Sequence, residues 1–390
     1  MKKATAMICA AAFFAALLCG CRSSNELKAM ALVMGVAIDK GGGENEYTVT
    51  AQIAQPPSTA AVTGGESGGP ADNEVYTNLT KTGAGVSDAM REISRLQSRK
   101  LYTGHIQVVI ISRAVAADGI EPVLNYFIGS ADGRMSTLLL ISEGEAKMLL
   151  EAKTGTAQCP AESLAELIGA RVKAGELPEP TMLSFINDML GGLTAPVIPI
   201  IEIKKNGESE LAEVTGTAAF SGAELSDVMT RRQSQAVFDI RGKTDGGYLT
   251  ARKNDGYMTL HVEKASSHFS AGFSNETPEI TVVVRREYSV DDSSPGLDLL
   301  NDGVRQRAEL YIKKQLARQF CDTIEHAKEK QLDVFGFSEY LYRFHSGKIK
   351  PIYDNREIFP ELEVKLELEV RILGTGALQK RLRPEKQGRV

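Results

Sequence analysis

Apolar and polar positions change period along the chain, and those changes lay out its elements. Ala31–Ile38 (ALVMGVAI) is a continuous apolar run of strand length, closed by Asp39, Lys40 and three glycines. Tyr47–Ala54 (YTVTAQIA) alternates and is rich in β-branched residues. Two such runs around a Gly-rich turn predict a hairpin. Pro56–Asn73, crowded with Gly, Pro, Ser and Ala, predicts a surface loop. Val86, Ala89, Met90, Ile93 and Leu96 fall at helical spacing. Ile106–Ile111 and Thr137–Ile141 read as buried strands. Ile120–Ile128, Glu145–Glu151, Ala161–Ala174 and Thr181–Leu190 read as helices. Helix alternating with strand predicts a mixed layer domain.

The pattern becomes strand-rich after the paired glycines and prolines of Gly191–Pro199. Strands are expected over Ile200–Ile203, Val214–Phe220, Ala236–Ile240, Tyr257–Lys264 and Ile280–Tyr288, with one short helix over Ala223–Thr230. Leu297–Lys330 is the longest helical pattern. Leu300, Val304, Ala308, Tyr311, Ile312, Leu316, Phe320, Ile324 and Ala327 form its apolar stripe, which predicts a helix laid on a sheet. Phe335–Phe344 reads as a second short helix. Glu361–Leu373 alternates charged residues with Val and Leu, as a half-exposed closing strand does. The expected fold is α+β and multi-domain. An N-terminal domain of alternating helices and strands spans 31–198. A C-terminal antiparallel sheet with one long packed helix spans 199–380, and a tail spans 381–390. No internal repeat is present.

The first residues carry a different signal. Lys2 and Lys3 precede the apolar run Ala4–Leu18, and Leu17-Leu18-Cys19-Gly20-Cys21 closes it. A charged start, an apolar stretch and small residues at a cleavage site make a secretory signal. The run is shorter than the roughly 20 apolar residues of a membrane-spanning helix. A cysteine placed after a small residue is the bacterial lipoprotein form of this signal. Cleavage between Gly20 and Cys21 is expected, leaving Cys21 with an S-diacylglycerol and an N-acyl group. Two buried chains give stable anchoring where one is marginal. Residues 1–20 are then the signal, and 21–30 a tether on the outer face of a membrane.

Composition adds limits. At 43% hydrophobic and 24% charged the chain builds ordinary cores. Its 390 residues suit two or three domains. The net charge is −5, and removal of Lys2 and Lys3 with the signal takes it to −7. An acidic chain is a poor nucleic-acid partner. It also gains little from anionic lipid, so a covalent anchor is what would hold it at a membrane. Beyond Cys9, Cys19 and Cys21 only Cys159 and Cys321 remain. They lie in unrelated contexts and are expected as unpaired thiols, although the compartment permits a disulfide.

Catalytic patterns are missing. His105, His261, His268, His326 and His345 show no metal-ligand spacing with one another or with cysteine. No nucleophile elbow and no dinucleotide fingerprint follows a strand. No metal, cofactor or enzymatic activity is predicted, and the weight moves to binding and assembly.

Several stretches together resemble the Ger(x)C family, the lipoprotein C subunits of spore germinant receptors in endospore-forming bacteria. They are Asn25-Glu26-Leu27 with Ala31–Lys40, Ser98–Val108 (SRKLYTGHIQV), Thr230–Gly247 (TRRQSQAVFDIRGKTDGG), Asp333–Phe344 (DVFGFSEYLYRF) and Ile358–Gly374. Their order and spacing cover almost the whole chain after Cys21. The chain departs from the family in having no Trp. The resemblance implies a non-enzymatic subunit on the outer leaflet of the inner spore membrane. Such a subunit acts beside two integral-membrane subunits to trigger germination in response to nutrients. Among residues with a family role, Cys21 alone carries over. Tyr102, His105, Tyr340 and Tyr342 lie in the resembling stretches and are of kinds enriched at interfaces, which makes them candidates for contact between subunits. Packing within a core is the competing reading of the same four. The alternative function is a lipid-anchored solute-binding protein of an envelope transporter, which would call for two similar lobes around a cleft. Here the two halves differ.

Overall fold

The computed structural model describes residues 30–43, 46–55, 75–152, 157, 159–207, 209–253, 256–274, 277–294, 297, 299, 301–349 and 358–375. The expected signal, Gly20, Cys21, the loop Pro56–Asn73 and the tail lie outside these residues.

The hairpin predicted at the start is present. β1 (Met30–Lys40) pairs antiparallel with β2 (Tyr47–Ala54), and β2 with β3 (Tyr76–Gly83). On the other side of β1 lie β5 (Val108–Ser112), β6 (Leu138–Ser142) and β7 (Val197–Asn206), all parallel. β8 (Ser209–Ser221) and β9 (Glu224–Thr230) complete the sheet antiparallel, and the short β4 (Lys100–Tyr102) runs beside the start of β1. The order is β3-β2-β1-β5-β6-β7-β8-β9.

Both parities of β1 are apolar because both faces of its sheet are covered, as parallel strands require. On one face pack α1 (Val86–Arg95), α2 (Arg113–Asp118), α3 (Glu121–Gly129) and α6 (Met182–Gly191), meeting Val36, Ile38 and Ile111. On the other pack α4 (Ala146–Glu151) and α5 (Pro160–Lys173), meeting Ala37, Val108 and Ile110. Asp39 ends β1 by accepting the backbone N–H groups of Ala146 (2.6 Å) and Lys147 (3.0 Å) at the start of α4.

A buried amide holds β2 to this second layer. Gln52 Nε2 donates to Asn78 Oδ1 (2.9 Å) and to Leu150 O (2.8 Å), and its Oε1 accepts from Ala161 N (2.9 Å). Leu150 O keeps a second donor, Asn78 Nδ2. Gln52→Leu therefore orphans chiefly the Ala161 N–H, and a loss of about 1–3 kcal/mol in urea unfolding is expected.

Two elements have the opposite type to the one the sequence predicts. The short helix expected over Ala223–Thr230 is the strand β9. Gly222 takes φ +61°, and the two-residue turn folds β9 back onto β8, so pairing replaces local helix formation. The strand expected over Ala236–Ile240 is part of the helix α7 (Arg231–Arg241). Thr230 and Gln233 form a capping box that starts it. Its run of Ala236, Val237, Phe238 and Ile240 is buried nearly all round, and such a run does not distinguish a helix from a buried strand by period.

The second sheet has the order β10 (Tyr248–Lys253), β11 (Gly256–Ser274), β12 (Thr277–Ser293) and β13 (Glu363–Thr375). The first three are antiparallel. β13 is added parallel to β12, a departure from a wholly antiparallel sheet. A parallel neighbour needs a crossover, and the long helix supplies it. α8 (Asp302–Glu329) starts at Asn301, whose Oδ1 accepts from Gly303 N (3.0 Å) and Val304 N (3.2 Å). It lays Ile312, Leu316, Phe320, Ile324 and Ala327 in the core beneath the sheet. Leu300 of the expected stripe lies outside the described residues. α9 (Phe337–Ile349) and α10 (Ile358–Glu361) finish the crossover.

The first sheet does not stop at 198. The expected division between 198 and 199 falls inside β7, and β8 and β9 carry the sheet on to Thr230. One apolar core passes from α5 through α7 to β12 and α8, so the two sheets share it. Cys159 is buried, Cys321 is exposed, and both are free thiols. Among the described residues no helix is long and apolar enough to cross a membrane.

Candidate functional site

The chain leaves β9 at Thr230, turns at once into α7 and returns through Gly242–Gly247 to β10. This segment sits where the two sheets meet. Gly246 lets the returning loop lie directly on the end of the α5 segment: a Cβ there would come within 2.2 Å of Ala174 O. Arg241, at the last turn of α7, ties three elements together. Its Nη1 pairs with Asp188 Oδ2 (3.1 Å), its Nη2 donates to Ala195 O (3.1 Å), and its Nε donates to Val334 O.

On the inner side of α7, Asp239 is 4% exposed and touches Arg286 of β12, also 4% exposed. Asp239 Oδ1 accepts from Gln235 Nε2 one turn earlier (2.7 Å) and from Thr244 Oγ1 (2.9 Å). Burial raises the Asp239 carboxyl, and the Arg286 charge opposes that rise. Tyr288 follows on the same face of β12. Burial pushes its hydroxyl up to about 12, with Asp239 adding to the rise and Arg286 working against it. Arg286 Nη2 lies against Asp239 Oδ1 as a buried ion pair, and Arg286 also hydrogen-bonds with Tyr288.

A cavity of about 810 Å³ opens beside this pair, walled by α7, β8, β10, α8 and the end of α5. Arg171, Arg231, Arg232, Arg252 and Arg286 line it, against Glu176, Glu213 and Asp239. Positive groups thus outnumber negative ones in the wall of a chain that is acidic overall.

Asp239, Arg286 and Tyr288 form a group that no motif in the sequence announces. One signal was available. Ile280, Val282, Val284, Arg286, Tyr288 and Val290 share one parity of β12, and a charge at the buried parity of an alternating strand needs a buried partner. Nothing in one strand names that partner on a helix 47 positions earlier.

The structure places the interface candidates in two separate settings. Tyr102 is half-buried at the end of β4 with its ring against Gly104, and His105 is exposed at the rim of a second cavity with Arg134, Lys173 and Glu179. Tyr340 and Tyr342 stand on α9, half-buried against the shared core. The Tyr340 hydroxyl donates to Phe269 O (3.0 Å), and its ring meets Phe269 edge-on. His261 and His268 lie on β11, beside Glu263 and Arg285 respectively. Among the described residues no group of three His, Cys, Asp or Glu is placed to hold a metal ion.

Residues 23–203 match the family described as "Spore germination protein N-terminal domain", and residues 215–376 match "Spore germination B3/GerAC like, C-terminal". The chain belongs to the GerAC-like spore germination family. Among its relatives in Bacillus subtilis (strain 168), the putative spore germination protein YfkR is 24% identical over 93% of this chain and 95% of its own length. Spore germination protein KC is 23% identical over 92% of each. The crystal structure of the GerBC protein superimposes with a TM-score of 0.57, covering 87% of this chain and 97% of that one at 18% identity. This likeness shows that the mixed α/β architecture is that of the GerAC-like fold. The Thr230–Gly247 stretch, singled out by resemblance, is the segment that builds α7 and one side of the cavity wall.

Proposed function

We propose that this chain is the lipid-anchored subunit of a spore nutrient germinant receptor. It is held at the outer face of the inner spore membrane through Cys21 and acts by assembling with two integral-membrane subunits. The observation that carries this reading is the family match over both domains, from residue 23 to residue 376, directly after a lipoprotein-type signal that ends at Cys21. The anchor supplies the membrane attachment, and the folded domains supply the contact surfaces. Tyr102, His105, Tyr340 and Tyr342, none of them fully buried, are the contact positions in this reading. A solute-binding role draws no support from the architecture, because the two sheets differ in strand order and share one core instead of forming two like lobes.

The test is nutrient-triggered core release from spores lacking the gene, with wild-type and Cys21→Ala genes restored in parallel. Loss of the response to one nutrient set, with a receptor-independent trigger intact, is the expected result. Cys21→Ala is expected to fail to restore it and to leave the membrane fraction. A normal response to every nutrient in a strain also lacking its paralogues rejects the receptor role. Full rescue by Cys21→Ala rejects the anchor.

A further inference from the structure

The second sheet ends in an open edge. β13 pairs with β12 on one side, and among the described residues no strand lies on its other side. An unpaired edge is a template for another strand. Here α8 closes both ends of it. Lys328 Nζ donates to Leu362 O, and Glu309 Oε1 accepts from Ile372 N (2.9 Å). What stays open runs from Glu363 to Arg371, and its midpoint is Glu367. In a strand the N–H and C=O of one residue point to the same side, and those of the next residue to the opposite side. Val364, Leu366, Leu368 and Val370 share the parity of Leu362 and Ile372, so their backbone groups face the open side.

The same stretch is complementary to itself. Glu363, Lys365, Glu367, Glu369 and Arg371 are exposed on one face. On the other face Val364, Leu366 and Val370 pack against the core but stay half-buried, so α8 does not cover them fully. When a second copy is laid antiparallel about Glu367, Lys365 falls opposite Glu369 and Glu363 opposite Arg371, each twice by symmetry. Within one copy Lys365 already pairs with Glu279 of β12, and Glu369 with Arg285 (2.9 Å). Charges of alternating sign then run from Glu279 through Lys365 to Glu369 and Arg285 of the second copy. Beneath them Val364 meets Val370, and Leu366 meets Leu368. Other registers lose this match. A shift of two residues sets Glu363 against Glu369, or Lys365 against Arg371, and like charges directly opposite are destabilising. A shift of one residue sets the charged face against the apolar one. In the matched register the only like-charged pair is Glu367 with its own copy.

We propose that the β13 edge is an interface between two copies of this chain, joined antiparallel about Glu367 into one continuous sheet with twice the four strands of a single copy. The contact is isologous and closes at two copies. It asks nothing of Cys21 or of the membrane subunits, so it stands or falls separately from the receptor reading.

The test uses the full chain purified in detergent. Sedimentation equilibrium with the detergent density-matched is expected to show a monomer passing into a dimer as concentration rises. Lys365→Glu/Arg371→Glu alters exposed side chains only. It is expected to unfold cooperatively, as the parent does, and to associate at least tenfold more weakly. Adding Glu363→Lys/Glu369→Lys to that variant restores the opposite charges and is expected to restore the dimer. Glu367→Gln removes the like-charged pair and is expected to strengthen it. Disulfide trapping reads the register, in a Cys321→Ser background that lacks the exposed thiol. Glu367→Cys meets its own copy across the axis, within disulfide reach, and is expected to crosslink under mild oxidation. Glu363→Cys stands roughly 27 Å from its copy in this register and is expected to crosslink no more than the background does. A monomer at every concentration overturns the proposal. Equal crosslinking of the two cysteine variants overturns it too, as does undiminished association of the charge-reversed variant.

Discussion

Arg286→Met lowers the unfolding free energy by about 3–5 kcal/mol, the cost of leaving a buried charge without its partner. Asp239 is 4% exposed, and its remaining donors, Gln235 and Thr244, are neutral. The double variant Arg286→Met/Asp239→Leu recovers most of that loss, because two apolar side chains replace a pair that is costly to desolvate. Urea unfolding of the parent, both single variants and the double variant measures the coupling.

The pH dependence gives an independent check. In the parent, burial raises the Asp239 carboxyl and Arg286 pulls it down. Without Arg286 the folded carboxyl rises further above its unfolded value of about 3.9. The folded state then holds the proton more tightly than the unfolded state does. Stability of the variant therefore rises as pH falls toward the unfolded value, and is lost as pH climbs through the folded one. Between pH 7 and pH 5 Arg286→Met gains stability relative to the parent. Parallel pH profiles for the two proteins would show that the charge of Arg286 does not act on Asp239.

Asp333→Ala also costs about 3–5 kcal/mol, for a different reason: it orphans several buried N–H groups at about 1–3 kcal/mol each. Asp333 is 7% exposed. Its Oδ1 accepts from Phe335 N (3.2 Å), Gly336 N (2.9 Å) and Phe337 N (3.2 Å), and its Oδ2 from Ser338 N (2.6 Å). One carboxylate thus shapes the turn from which α9 begins. The turn matters beyond itself. Phe335 stacks on Phe337 at 5.0 Å, and Arg241 reaches the carbonyl of Val334 from the other sheet's side of the core. Asp333→Asn keeps the first three acceptor contacts but sets its NH₂ against the Ser338 N–H, so a smaller loss of about 1–3 kcal/mol is expected. Urea unfolding ranks the two variants. Limited proteolysis is expected to cut Asp333→Ala sooner within 333–338. Equal stabilities for Ala and Asn would assign the effect to the Ser338 contact alone.

These two aspartates differ in how far the sequence announces them. Asp333 stands in an Asp-x-x-Gly stretch ahead of a helical pattern, so a local turn role can be read from its neighbours. Asp239 stands between Phe238 and Ile240 in an apolar run, with its charged partner far along the chain. The same contrast applies to the elements. β2, α1, α8 and β12 carry clear periods and β1 a continuous apolar run of strand length, and the structure keeps all five in the type expected. β9 and α7 were exchanged because Ala223–Thr230 is a short mixed stretch and Ala236–Ile240 a short, mainly apolar one, and neither is long enough to fix a period. A two-residue turn at Gly222 and a capping box at Thr230 decided them.

By itself the sequence determined the signal-like start ending at Cys21, the mixed α/β class, the long packed helix and the family, because each depends on periodicity or on local order of residues. Tertiary structure alone decided that the first sheet runs to Thr230, that β13 joins β12 in parallel, and that Asp239 meets Arg286 beside a cavity. Those facts depend on which distant segments share a core, and strand pairing and ion pairing act through space without leaving a mark on neighbouring residues.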